Sequence, residues 1–197
     1  MRAGTRMEYV AGPAGKIECA VDDPATEPRG VALVAHPHPL FGGTFDNKVV
    51  QTLARVFVEL GYTAWRPNFR GVGGSEGSHD EGRGELEDLA AVIGHLKSEK
   101  PVLAGFSFGA AIQARLAQRV APERMVLVGA AVRLLETPPV PADTIVIHGE
   151  EDCTVSLADV LAWARPQELP VVVVPGADHF FHRRLHILRA IVRSSWK

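Results

Sequence analysis

The chain predicts an α/β fold built on a mostly parallel central sheet with helices on both faces. From residue 30 onward, short apolar runs alternate with longer segments of helical periodicity, the pattern of strands joined by crossover helices. Several of those runs are apolar throughout rather than at every second position, as strands covered on both faces are. The chain has 197 residues, 46% of them hydrophobic, which suits one domain (residues 1–197) with an ample core.

The elements follow in order. "MEYV" and "KIECAV", separated by "AGPAG", predict a hairpin of two outer strands. The strand candidates are then "GVALVAH" (30–36), "YTAWRP" (62–67), "PVLAGF" (101–106), "RMVLVG" (124–129), "TIVIHG" (144–149) and "PVVVVPG" (170–176). Between the first two, Val49, Leu53, Val56, Phe57 and Leu60 recur at helical spacing, with Asp46 or Asn47 placed to cap the first turn. Further helices are predicted near 81–98, 108–120, 156–165 and 180–195. "NFRGVGGSEGSHDEGRG" (68–84) has the composition of a long surface loop, and no repeat or low-complexity tract interrupts the pattern.

Composition excludes several functions. The net charge is -2 with basic and acidic residues interspersed, so there is no footprint for nucleic acid or a membrane surface. Cys19 and Cys153 stand alone, which fits neither a disulfide framework nor a structural zinc site. No signal peptide or membrane-spanning run is visible, and a soluble cytoplasmic protein is expected. "GVGGSEG" misses the third glycine of a dinucleotide fingerprint, because position 76 is Glu, and no cofactor is expected.

The chemistry centres on "GFSFG" (105–109). It fits GxSxG, in which a serine occupies a sharp strand-to-helix turn and flanking glycines give the backbone room. Here the motif lies between an apolar strand candidate and "AAIQARLAQRV", whose small first-turn residues let a helix approach a sheet. A serine hydroxyl is a poor nucleophile at neutral pH and needs a base, and the base needs a carboxylate to fix its tautomer. Both should lie beyond the carboxyl ends of later strands, in the order serine, acid, histidine. Asp152 in "TIVIHGEEDCTV" and His179 in "VVVVPGADHFF" meet that order, giving Ser107, Asp152 and His179 as the catalytic candidates.

Rivals are present. Glu150 and Glu151 follow the same strand as Asp152, and Asp178 adjoins His179 but reads better as a cap for the last helix. His182 and His186 have the spacing of a metal pair, yet an amphipathic helix explains them and no third ligand is suggested, so no metal is expected. His148 and His95, in a strand and a helix, read as structural.

Acyl transfer also needs backbone donors for the developing oxyanion. One candidate is the Phe108 N–H, directly after the serine. The other belongs in "HPHPLFGGTFDN" (36–47), where Pro37 and Pro39 have no N–H and His38 or Leu40 is left. Leu40 is favoured, because a rigid His-Pro step precedes it and Gly42 and Gly43 follow.

With "HPHPLFGG", "NFRGVGGSEG", "GFSFG", "HGEED" and "GADHFF" in place, the chain resembles the α/β-hydrolase superfamily over nearly its whole length. Within it, the likeness is to small bacterial hydrolases related to the dienelactone hydrolase and prolyl-peptidase branches. The resemblance implies an eight-stranded sheet and a Ser-Asp-His triad at Ser107, Asp152 and His179. Two departures matter. The oxyanion segment is His-Pro-His-Pro rather than His-Gly, and a serine stands where dienelactone hydrolases proper use cysteine, which argues against that activity.

The interval 130–143, "AAVRLLETPPVPAD", is too short and proline-rich for the helical cap that many superfamily members insert there, so the site should be open. Phe41, Phe45, Phe69, Phe108 and Phe180 sit in or beside the landmark loops, and at least two should fill core. Phe41, Phe69, Phe180 and His38 are the substrate-binding candidates for a small ester or thioester, with Arg70 a further polar residue in reach. A peptidase or amide hydrolase would use the same triad, and a binding protein retaining the fold is the non-enzymatic alternative.

Overall fold

A computed structural model of the chain describes residues 4–196. The hairpin is present as β1 (Arg6–Gly12) and β2 (Gly15–Asp22), paired antiparallel from Arg6 opposite Val21 to Gly12 opposite Gly15. There follow β3 (Gly30–Ala35), α1 (Lys48–Glu59), β4 (Tyr62–Pro67), α2 (Arg83–Leu96), β5 (Val102–Phe106) and α3 (Phe108–Leu116). Next come β6 (Arg124–Val128), β7 (Ile145–Gly149), α4 (Leu157–Ala164), β8 (Val171–Val174) and α5 (Leu185–Ser195). The eight strands form one sheet in the order β1-β2-β4-β3-β5-β6-β7-β8, in which β2 runs against both its neighbours and β3 to β8 are parallel.

The continuous apolar strands are explained by burial on both faces. Leu33, Leu103, Leu127 and Val146 point into a core covered by α2, α3 and α4, through Leu89, Val92, Ile112 and Val160. Their sequence neighbours Val34, Ala104, Val128 and Ile147 point the other way, against Leu53, Phe57, Leu188 and Val192 of α1 and α5. Side chains alternate across a strand, so only an apolar run satisfies two such cores at once.

Local chemistry sets the boundaries. Asn47, not Asp46, caps α1, its side-chain oxygen accepting from the Val49 and Val50 amides at 2.9 and 3.4 Å. The last helix begins five residues later than its periodicity suggests. Phe181 and Arg183 have φ of 55° and 61°, which no α-helix accommodates, and α5 starts only at Leu185. Asp178 therefore does not cap α5. Its carboxylate closes the preceding turn instead, accepting from the His182 amide at 3.0 Å.

The loop 68–82 is held from inside. Glu18 accepts from the Asn68 side chain and the Gly74 amide, both at 2.8 Å, and Ser75 Oγ donates to the Asn68 carbonyl at 2.8 Å. Between β6 and β7, the interval 130–143 carries turns and no helix. Among the described residues, no helix is long and apolar enough to cross a membrane.

Candidate active site

Ser107 occupies the single residue between β5 and α3 with φ 56° and ψ −117°, a conformation non-glycine residues adopt only when the surroundings enforce it. The enforcement is visible. Its amide donates to the Val128 carbonyl at 2.9 Å, and its carbonyl accepts from the amides of Ala110 at 3.1 Å and Ala131 at 3.2 Å. A Cβ on Gly105 would lie 2.5 Å from the Gly109 carbonyl oxygen, and one on Gly109 would strike the Ala35 and His36 carbonyls. The two motif glycines are thus required by close approach of backbone to backbone.

The three residues separated widely in sequence meet here. Ser107 Oγ lies 3.0 Å from His179 Nε2, and His179 Nδ1 lies 2.6 Å from Asp152 Oδ2. All three are buried. The other Asp152 oxygen accepts from the Thr154 and Val155 amides at 2.9 and 2.8 Å, so the loop-capping and histidine-orienting roles fall on separate oxygens. Burial pushes the Asp152 carboxyl upward, but the hydrogen bonds from His179, Val155 and Thr154 and the His179 charge outweigh it, and the net shift is downward. An ionised Asp152 is acceptor-only. His179 must then carry its proton on Nδ1, leaving Nε2 to accept from the Ser107 hydroxyl. The imidazole is wedged between Phe106 and Phe180, with ring centroids 4.7 and 5.1 Å away.

The rival carboxylates face elsewhere: Glu150 accepts from the Gly176 amide at 2.9 Å and Glu151 is exposed. His148, read as structural from its place in a strand, plays that role close to the site. Its Nε2 donates to the Val155 carbonyl at 3.0 Å and lies 3.6 Å from Asp152 Oδ2, so it buttresses the loop that carries the acid. The signal was its position near the end of β7, four residues before Asp152.

The expectation for Leu40 needs correction. Its amide donates to His38 Nδ1 at 3.2 Å, closing a short 3-10 turn (Pro39–Phe41), and is not free to serve a ligand. The peptide before it is differently placed. The Pro37 carbonyl accepts from His36 Nδ1 at 2.6 Å and is crowded by Gly43, which has no room for a Cβ beside it. In a trans peptide the N–H points opposite the C=O, so the His38 N–H is turned away from that contact.

The substrate candidates divide. His38, Phe41 and Ser107 line both a cavity of about 270 Å³ and one of about 160 Å³, and Phe180 lines the smaller. Phe69 does not belong with them. It is 1% exposed and packs edge-on to His36 and Phe108, at centroid distances of 4.5 and 5.4 Å, because its amide is tied to His36 Nε2 at 2.9 Å. The Phe108 and Phe45 rings are also core. Arg70 is committed to Asp88 of α2 through two hydrogen bonds of 2.8 Å. Sequence reasoning passed over Ala131, Leu134, Val155 and the Arg133–Asp159 ion pair (3.1 Å), all of which line the larger cavity. Among the described residues, no group of three His, Cys, Asp or Glu side chains is arranged to hold a metal ion. Cys19 is buried and its thiol is pushed up to about 12 by that burial, which leaves it unreactive.

A serine on a strained strand-to-helix turn at the carboxyl edge of a mostly parallel eight-stranded sheet defines a protein of the α/β-hydrolase class. The comparisons agree: the model of the family described as "Alpha/beta hydrolase family" matches residues 31–142, and the chain belongs to that family. It is similar to XC6422 from Xanthomonas campestris, described as an α/β serine hydrolase without lid, at 35% identity and TM-score 0.88, covering 99% of this chain and 94% of that one. An α/β serine hydrolase homologue from Coxiella burnetii is 37% identical with TM-score 0.86, and each chain is covered completely, at 100%. The uncharacterized protein RP471 of Rickettsia prowazekii is 35% identical, over 88% of this chain and 81% of its own.

Proposed function

We propose that the protein is a serine hydrolase cleaving a small carboxylic ester or thioester through a covalent acyl-enzyme, with Ser107 as nucleophile, His179 as base and Asp152 orienting it. The observation that carries this reading is the relay of 3.0 and 2.6 Å from Ser107 Oγ through His179 to Asp152. Ser107 Oγ bonds to the acyl carbon while its proton passes to His179 Nε2. The tetrahedral intermediate collapses, the C–O or C–S bond to the leaving group breaks, and His179 hands that group its proton. Water then repeats the sequence with His179 as base, releasing the acid and restoring the serine.

The Phe108 N–H and the His38 N–H are the oxyanion donors in this reading. Phe108 is the first residue of α3, so its amide has no partner within the helix. Its N–H and the positive helix end both favour a developing negative charge. Each such donor contributes roughly 3 kcal/mol to the transition state.

The test is direct. Ser107→Ala should retain its circular dichroism spectrum and melting behaviour yet lose turnover of p-nitrophenyl acetate. A fluorophosphonate probe should label the unmodified chain on the peptide containing Ser107. Undiminished turnover by the alanine variant, or labelling elsewhere, would discard the mechanism. A panel pairing each ester with its amide separates this reading from a peptidase.

A further inference from the structure

Among the described residues, two cavities meet at Ser107 and share His38, Phe41 and Thr154 as their common wall. They differ in one respect that bears on chemistry. His179 and Phe180 line the smaller, of about 160 Å³, and are absent from the larger, of about 270 Å³. A triad histidine delivers its proton to the leaving group, which must sit on the side of its Nε2. The acyl group must then occupy the side that the imidazole does not line.

We infer that the larger cavity is the acyl chamber and the smaller one the leaving-group chamber, so that the preferred substrate is an ester or thioester of a medium-length apolar acid. This rests on the hydrolase reading above and names the substrate class for it. The lining of the larger cavity includes the apolar side chains of Phe41, Ala131, Leu134 and Val155, beside the uncharged Thr154 and Ser156, and carries no unpaired charge to reject a hydrocarbon. The two charged residues of the lining, Arg133 and Asp159, neutralise one another, 3.1 Å apart. Arg133 is exposed, so its charge stays in water and is not a buried one that an acyl chain would have to meet. At ~30 Å³ for each water-sized group, 270 Å³ holds about nine non-hydrogen atoms, close to a hexanoyl or octanoyl group. Leu134 is 58% exposed in the free protein, and an acyl chain lying against it would cover that surface.

The experiment varies the two halves of the substrate independently, using acetyl to dodecanoyl esters of p-nitrophenol and octanoyl esters of several alcohols. In the unmodified protein kcat/KM should rise from acetyl to octanoyl, by up to about fourfold per methylene, and then level or fall. Leu134→Ser, at an exposed position that folding tolerates, should reduce the octanoyl-to-acetyl preference about tenfold, by the same factor for every alcohol. Phe180→Leu keeps an apolar contact with His179. It should reorder the alcohols while the acyl length of highest kcat/KM stays at octanoyl, since Phe180 does not line the larger cavity. The opposite pattern, with Phe180→Leu shifting the chain-length optimum and Leu134→Ser reordering the alcohols, would overturn the assignment. Equal rates on acetyl and octanoyl esters in the unmodified protein would overturn it too, leaving the hydrolase reading standing. No turnover of any ester would remove both.

Discussion

The His36 imidazole donates from Nδ1 to the carbonyl oxygen of Pro37, 2.6 Å away, and accepts at Nε2 from the Phe69 amide at 2.9 Å. Both ring nitrogens are thus committed, and the neutral tautomer with the proton on Nδ1 is the one that serves both. The pair fixes the plane of the Pro37–His38 peptide, whose N–H is the proposed second oxyanion donor.

His36→Phe, which keeps a ring in place but neither hydrogen bond, should therefore act on the transition state. We expect kcat to fall about ten- to a hundredfold with KM within about twofold, less than the 10²–10³ of losing a donor outright. His36→Gln, which restores a donor and an acceptor, should recover much of that loss. Steady-state kinetics on one p-nitrophenyl ester read the split. A rise in KM with kcat unchanged would mean that His36 merely shapes the pocket.

The parts of this protein that were legible in its sequence are those set by local sterics and chain order. Ser107 could be read because two glycines and a strand-helix junction leave few other backbone solutions, and Asp152 and His179 because topology puts their loops at the same edge. Leu40 was misread because its amide is satisfied by a side chain two residues away, and nothing in the spacing reveals which rotamer His38 adopts. Phe69 and Phe41 are indistinguishable as loop aromatics. Only the His36 hydrogen bond draws the first inward while the second stands 85% exposed at the cleft. Arg70 sits in a stretch whose composition signals solvent, and its partner, Asp88, lies 18 residues on, in a helix that buries it.

That last pair yields a stability prediction. Arg70 Nε and Nη2 bind both oxygens of Asp88, whose side chain is 3% exposed, and the guanidinium also packs against the Cα of Gly84, where a Cβ would not fit. Arg70→Ala leaves Asp88 buried without its counter-ion, which should cost about 3–5 kcal/mol in urea denaturation. Arg70→Met with Asp88→Leu, removing both charges while filling the space, should recover most of it. A loss below about 1 kcal/mol for the single variant would show that water reaches Asp88 readily.

The same His36 makes stability depend on pH. Burial holds its imidazole at about 4, against an ordinary histidine value of 6.5, the hydrogen bond to Pro37 only partly opposing it. Between those values the unfolded chain binds a proton that the folded chain refuses, so stability rises with pH across the window and falls as acid is added. Burial also lowers His148, adding in the same direction, and Asp152, depressed overall, contributes stability that is lost at still lower pH. The His36 share is isolated by comparing the unmodified protein with His36→Gln, which keeps the hydrogen bonds and does not titrate. The difference in unfolding free energy between the two should shift by about 3 kcal/mol in favour of the variant between pH 7.5 and pH 4. Parallel urea-denaturation curves at the two pH values, giving the same difference at both, would show that His36 takes up its proton in the folded protein without resistance.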